Sequence, residues 1–179
     1  MKKYTLLVFL LIWMMVLAGC SGKSDSDVTP DIAVSEDSAV NERYPSFAVE
    51  NASASKGDDD VVIRVSLVDN PGFLTMAMNI TYDSDNMSLT EVLSCSDYSE
   101  YYFIGPKNMQ SGCTASWFIP EIPESTVDGK ILELHFAISE YAETGAYPIT
   151  ISRPDYGGVV DQNKQEIIFN NATGYITIN

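Results

Sequence analysis

A single histidine, His135, in a chain of 179 residues limits the chemistry on offer. It sits in Leu132-Glu133-Leu134-His135-Phe136, where alternation puts it beside Glu133 and Ala137 and opposite the apolar positions. Without a partner constellation such a histidine reads as a surface or satisfied polar residue and not as a catalyst. Basic residues are scarce as well: Lys and Arg number 10 against 25 Asp and Glu, a formal net charge of −15. That excess repels nucleic-acid phosphates and anionic headgroups, so nucleic acid is not expected as a partner. No glycine-rich phosphate cradle occurs. Paired carboxylates can run glycoside hydrolysis, but Asp58-Asp59-Asp60 and Glu121 with Glu124 fall in turns and read as solvated loop charge. No enzyme is expected.

Long apolar runs are missing too, with one exception at the start. Met1-Lys2-Lys3 is followed by an uncharged stretch from Tyr4 to Leu17, then by Ala18, Gly19 and Cys20. A positive head, a short apolar run and small residues make a secretory signal; a membrane span wants roughly 20 apolar residues. Leu17-Ala18-Gly19-Cys20 resembles the lipobox of a bacterial lipoprotein precursor. That resemblance implies cleavage after residue 19, lipid on Cys20, and an exported protein anchored at the membrane or cell surface. Removing 1–19, which carries Lys2 and Lys3 and no acid, takes the charge to −17. The stretch 20–43 is Ser, Asp, Glu, Val and Thr with one proline and no aromatic, too poor in apolar surface to offset its ordering entropy. It reads as a flexible acidic linker of about 25 Å.

Cysteine is also rare. With Cys20 acylated, only Cys95 and Cys113 remain. In an oxidising compartment they suggest one disulfide closing a loop of about 18 residues, worth roughly 3 kcal/mol. The alternative is two separate buried thiols.

From 44 to 179 no segment has helical periodicity. Short alternating segments recur instead, divided by Gly, Pro, Asn and Asp. In the clearest, Leu74, Met76, Met78, Ile80 and Tyr82 share one face while Thr75, Ala77, Asn79 and Thr81 share the other. Similar segments at 47–50, 60–67, 88–93, 101–104, 113–119, 130–138, 146–152, 166–169 and 174–178 predict an all-β fold. It is expected as a jelly-roll-like β-sandwich of about nine strands.

Lys56-Gly57-Asp58 leading into Val61-Val62-Ile63-Arg64-Val65-Ser66-Leu67, then Asn70-Pro71-Gly72 and Ile80-Thr81-Tyr82-Asp83, follow one another in order. Leu89-Thr90-Glu91-Val92, Asp128-Gly129-Lys130-Ile131-Leu132 and Gly145-Ala146-Tyr147-Pro148-Ile149-Thr150-Ile151 continue the series. Gly158 to Asn163 and Gly174-Tyr175-Ile176-Thr177-Ile178 close it. In order and spacing, from about Phe47 to Ile178, the chain resembles a cohesin, the module that docks enzymes onto cellulosome-type scaffolds. It departs at Ser84, where the family usually has proline, and at Thr75 and Ala77, where well-known members present Asn or Asp.

The resemblance implies non-catalytic binding of dockerin-bearing proteins, polysaccharide-degrading enzymes among them, through the sheet around the third, fifth and sixth strands. Thr75, Ala77, Asn79, Tyr102, Trp117 and Glu121 are the positions it points to. It also implies that calcium arrives with the dockerin, so no cofactor is expected. Asp58-Asp59-Asp60 and Asp83-Ser84-Asp85-Asn86 offer oxygens to a structural calcium, but neither has the loop glycine and distal glutamate of an EF-hand. The aromatic group Tyr98, Tyr101, Tyr102, Phe103 and Trp117 offers an alternative, a sugar-stacking platform on a carbohydrate-binding surface lipoprotein. Alternation sets Ala115, Trp117 and Ile119 against Thr114, Ser116 and Phe118, and leaves open which set is buried.

Overall fold

The computed structural model describes residues 45–120, 126–155, 158–161 and 163–179. The signal segment, Cys20, the linker and Glu121 lie outside them. Asn41–Asn179 forms one compact unit.

Twelve strands are found among the described residues, and two sheets pack face to face, as the alternation predicts. The first sheet runs in the order β1 (Ser46–Val49), β3 (Val61–Val68), β8 (Gly129–Ile138), β5 (Met87–Ser94). The second is centred on β4 (Thr75–Thr81). One edge of β4 pairs with β7 (Cys113–Phe118), which pairs onward with β6 (Tyr102–Ile104). Its other edge pairs with β10 (Val159–Val160) near Thr75 and with β9 (Gly145–Ser152) from Asn79 onward. β11 (Glu166–Ile167) extends β10; β12 (Ala172–Ile178) extends β9 and takes β2 (Ala52–Ala54) in parallel. The pieces not expected from sequence, β2 and β10, are three and two residues long. They are too short to show a period.

The core is what alternation selects. Ile63, Val65 and Leu67 of β3 and Leu134 and Phe136 of β8 face Met76, Met78 and Ile80 of β4. Tyr82 meets the Phe136 ring edge-on at 5.3 Å across the sandwich. The Trp117 indole N–H donates to Ser94 Oγ at 3.1 Å, tying the second sheet to the first. Gly174 lies against the chain before β2; a Cβ there would meet the Glu50 carbonyl oxygen at 2.4 Å.

Within the core, Phe73 stacks on Tyr101 at 4.5 Å and leans on Tyr98. Both hydroxyls donate to carbonyls, Tyr101 to Phe73 and Tyr98 to Val127. Burial first, then the charge of Glu100, pushes the Tyr101 phenol up to about 12; burial and then Asp128 push Tyr98 further the same way. A folded-state pKa above the ordinary value near 10 favours the neutral phenol in the native state. That stabilisation is complete below pH 10 and is lost as pH rises towards about 12, on the order of 2–3 kcal/mol for Tyr101. A phenolate absorbance titration is expected to show two tyrosines ionising last and together with unfolding. Ionisation of every tyrosine near pH 10 in a still-folded domain would contradict this packing.

The expected disulfide is not formed: Cys95 and Cys113 are both free thiols. Cys95 follows Ser94, which is level with Trp117, whereas Cys113 lies four residues away at the other end of β7. At strand rise that is roughly 13 Å, and a disulfide needs Cα atoms within about 7 Å. The two cysteines thus lie at opposite ends of the sandwich. Burial raises both thiol pKa values, helped at Cys95 by Glu133 and Asp97. Alkylation of the native domain should therefore be slow below pH 9, and reduction should leave the intact mass unchanged. A two-proton mass difference on reduction would refute this arrangement.

Candidate docking face

The outward surface of the second sheet follows from register. Core-facing Met76, Met78 and Ile80 leave Thr75, Ala77, Asn79 and Thr81 pointing away. Trp117 pairs with Met76, so it shares the inner face, and its neighbours Thr114, Ser116 and Phe118 turn outward. Tyr102 opposes Phe118, and Ile104 opposes Ser116.

Rows of outward side chains result. At one end Tyr102, Phe118, Thr75 and Val160 stand side by side. The Tyr102 and Phe118 rings stack at 5.0 Å and 18°, and with Ile104 they remain 59%, 39% and 54% exposed. The next row is Ile104, Ser116 and Ala77. Then come Thr114, Asn79 and Ser152, where Thr114 Oγ1 donates to Asn79 Oδ1 at 2.7 Å. Thr81, Thr150 and Thr173 follow, the last two hydroxyls 3.2 Å apart. The face thus grades from aromatic and aliphatic to hydroxyl and amide.

Its centre, on β6, β7, β4 and β9, carries no charge. In a chain with 25 acidic residues, β2, β4, β6, β7, β9, β10 and β12 contain no Asp, Glu, Lys or Arg. Among the described residues the one charged strand residue of this sheet is Glu166 in β11, at the edge opposite Val160 and held by Arg153 at 2.5 Å. The outer side of the first sheet has the opposite character. There Arg64 bridges Glu133 at 2.8 Å and Glu50 at 3.6 Å, and His135 Nδ1 meets Asp60 at 2.6 Å. His135 is half satisfied, for its buried Nε2 has no partner. Depletion of charge over a patch centre with aromatics present marks a protein interface. Selection against charge on one sheet alone is hard to account for by folding, since outward strand positions tolerate charge on the other.

No family model matches this chain, and no curated protein does. Solved structures do. CaCohA2 of Clostridium acetobutylicum, in complex with CaDoc0917, is 26% identical and aligns over 75% of this chain and 99% of its own, with a TM-score of 0.64. A non-cellulosomal cohesin from the hyperthermophilic archaeon Archaeoglobus fulgidus aligns over 76% and 92%, at 13% identity and a TM-score of 0.62. The OlpA cohesin of a Clostridium thermocellum complex with Doc918 aligns over 76% and 100%, at 18% and 0.59. The domain has the cohesin fold.

Within this fold the expected site residues divide. Thr75, Ala77, Asn79 and Tyr102 share the outward face. Trp117 does not: it is 1% exposed, in the core, with Phe103 packed on it at 5.1 Å. Phe118, not singled out from sequence, takes the outward aromatic place. Tyr98 and Tyr101 are buried, so the aromatic group is mostly core and not a platform. The acidic runs are engaged locally. Asp58 accepts from the Ser55 amide, Asp60 holds His135, and Asp83 accepts from the amides of Asp85 and Asn86. Among the described residues no three His, Cys, Asp or Glu side chains gather as a metal would require. Several of the similar cohesins were solved in complex with a dockerin.

Proposed function

We propose that this chain is a surface lipoprotein whose cohesin docks dockerin-bearing proteins, polysaccharide-degrading enzymes among them, on the outward face of β6, β7, β4 and β9. The observation that carries the reading is the uncharged face of β6, β7, β4 and β9 in an otherwise strongly acidic domain. An apolar end of Tyr102, Phe118 and Ile104 supplies burial, and the hydroxyl and amide end supplies directional bonds without a charge-desolvation penalty. The neighbours solved with dockerins support it. The acidic linker would hold the domain clear of the membrane, with lipid on Cys20 as the anchor. Two or three acyl chains give stable attachment where one holds weakly.

A pull-down with residues 20–179 against dockerin-bearing proteins and insoluble polysaccharide tests the docking reading. Capture of a dockerin and not of polysaccharide is expected. The reverse result would favour the sugar-binding alternative, which the inward turn of Tyr98, Tyr101 and Trp117 weakens. For the anchor, Cys20→Ala should abolish fatty-acid labelling and leave the precursor uncleaved or shed. Labelling that survives the change would sink the lipoprotein reading.

A further inference from the structure

The docking face has a hollow at its edge. Gly105-Pro106 stops β6 after three residues, because proline cannot donate to the ladder. β7 runs on to Cys113 with no β6 partner beyond Ser116. The chain from Gly105 swings away and returns through Gly112 at φ 86°, a conformation that glycine adopts without strain. Between loop and sheet lies a depression of about 480 Å³, lined among others by Ile104, Lys107, Asn108, Gln110, Thr114 and Ser116. Ile104, Thr114 and Ser116 belong to the docking face, so the hollow is continuous with it.

Two features give the hollow a preference. Its walls are held: the Tyr82 hydroxyl donates to the Met109 carbonyl, Ser111 Oγ donates to the Tyr82 carbonyl at 2.6 Å, and the Gly112 amide donates to Ile80 at 2.8 Å. A preformed recess loses little entropy on being filled. Its charge is also unusual. Arg64 and Arg153 of this acidic domain sit in ion pairs. The described lysines, Lys56, Lys107, Lys130 and Lys164, have no ion pair among the described residues; of these Lys107 lines the hollow, and no carboxylate lines it with Lys107. The Asn108 and Gln110 side-chain amides and the Ser116 hydroxyl add further donors to the wall.

We infer that this hollow receives an aspartate or glutamate side chain of the docked partner, with Lys107 as its counter-charge. The inference rests on the docking reading and adds the chemistry of one partner residue. On a face otherwise free of charge, one cation at the rim fixes orientation and discriminates among partners more than it adds affinity.

The test uses residues 20–179 and a dockerin captured by the wild-type domain, titrated by calorimetry at low and high salt. Lys107→Gln should weaken binding about tenfold at low salt and by much less at high salt, while Lys107→Arg stays near wild type. Replacing each dockerin Asp or Glu outside its calcium loops by the matching amide should reveal one position whose loss is not additive with Lys107→Gln. Unchanged thermal midpoints would show that both variants fold. Binding by Lys107→Gln within twofold of wild type at low salt, or additivity at every carboxylate, overturns the inference and leaves the docking reading standing. If no dockerin binds the wild-type domain, the docking reading fails and this inference falls with it.

Discussion

Ala77→Arg is expected to weaken dockerin binding by about 100-fold or more while leaving the domain folded. Ala77 lies in the second row of the outward face, beside Ser116 and between the apolar and the hydroxyl ends. Arginine there adds bulk to a flat surface and brings a charge that a docked partner would bury unpaired. Its side chain points away from Met76 and Met78, so the core keeps its contacts, and the melting temperature should stay within roughly 2 °C of wild type. Calorimetric titration with thermal melting checks both halves. An unfolded Ala77→Arg domain would reverse the inside and outside of β4; a folded one with undiminished affinity would move docking to another face.

Trp117→Ala should have the complementary outcome. The side chain is fully buried, is bonded to Ser94 across the sandwich and packs against Phe103. Its loss opens a cavity between the sheets and strands the Ser94 hydroxyl, a cost of about 3–5 kcal/mol. Denaturant unfolding measures that directly. Phe118→Ala, one residue on, should cost less than about 1 kcal/mol in stability but at least tenfold in docking, because Phe118 is outward and stacked on Tyr102. Similar stability losses for the two variants would contradict the register of β7.

The period-2 pattern made most of the sandwich legible. Residues 74–82 alternate without a break, and β4 forms there with the predicted face inward. The β7 segment was ambiguous because it puts one large aromatic on each face, Trp117 and Phe118. The polar pair Thr114 and Ser116 was the available signal for the solvent side, and the register with Met76 decides it. Spacing along the chain could not say whether Cys95 and Cys113 meet, since that depends on where the ends of β5 and β7 fall across the sandwich. The charge-free centre of the second sheet, too, is invisible until the strands are sorted into sheets. Only then do the uncharged strands collect on one side, with Arg64, Glu133 and His135 on the other.

Amide chemical-shift mapping of the isotope-labelled domain, with and without a bound dockerin, tests the docking face most directly. The largest changes should fall on Thr75, Ala77, Asn79, Tyr102, Ile104, Thr114, Ser116 and Phe118, with Arg64, Glu133 and Thr90 of the first sheet unmoved. Changes concentrated on the first sheet, with the uncharged face silent, would contradict the account.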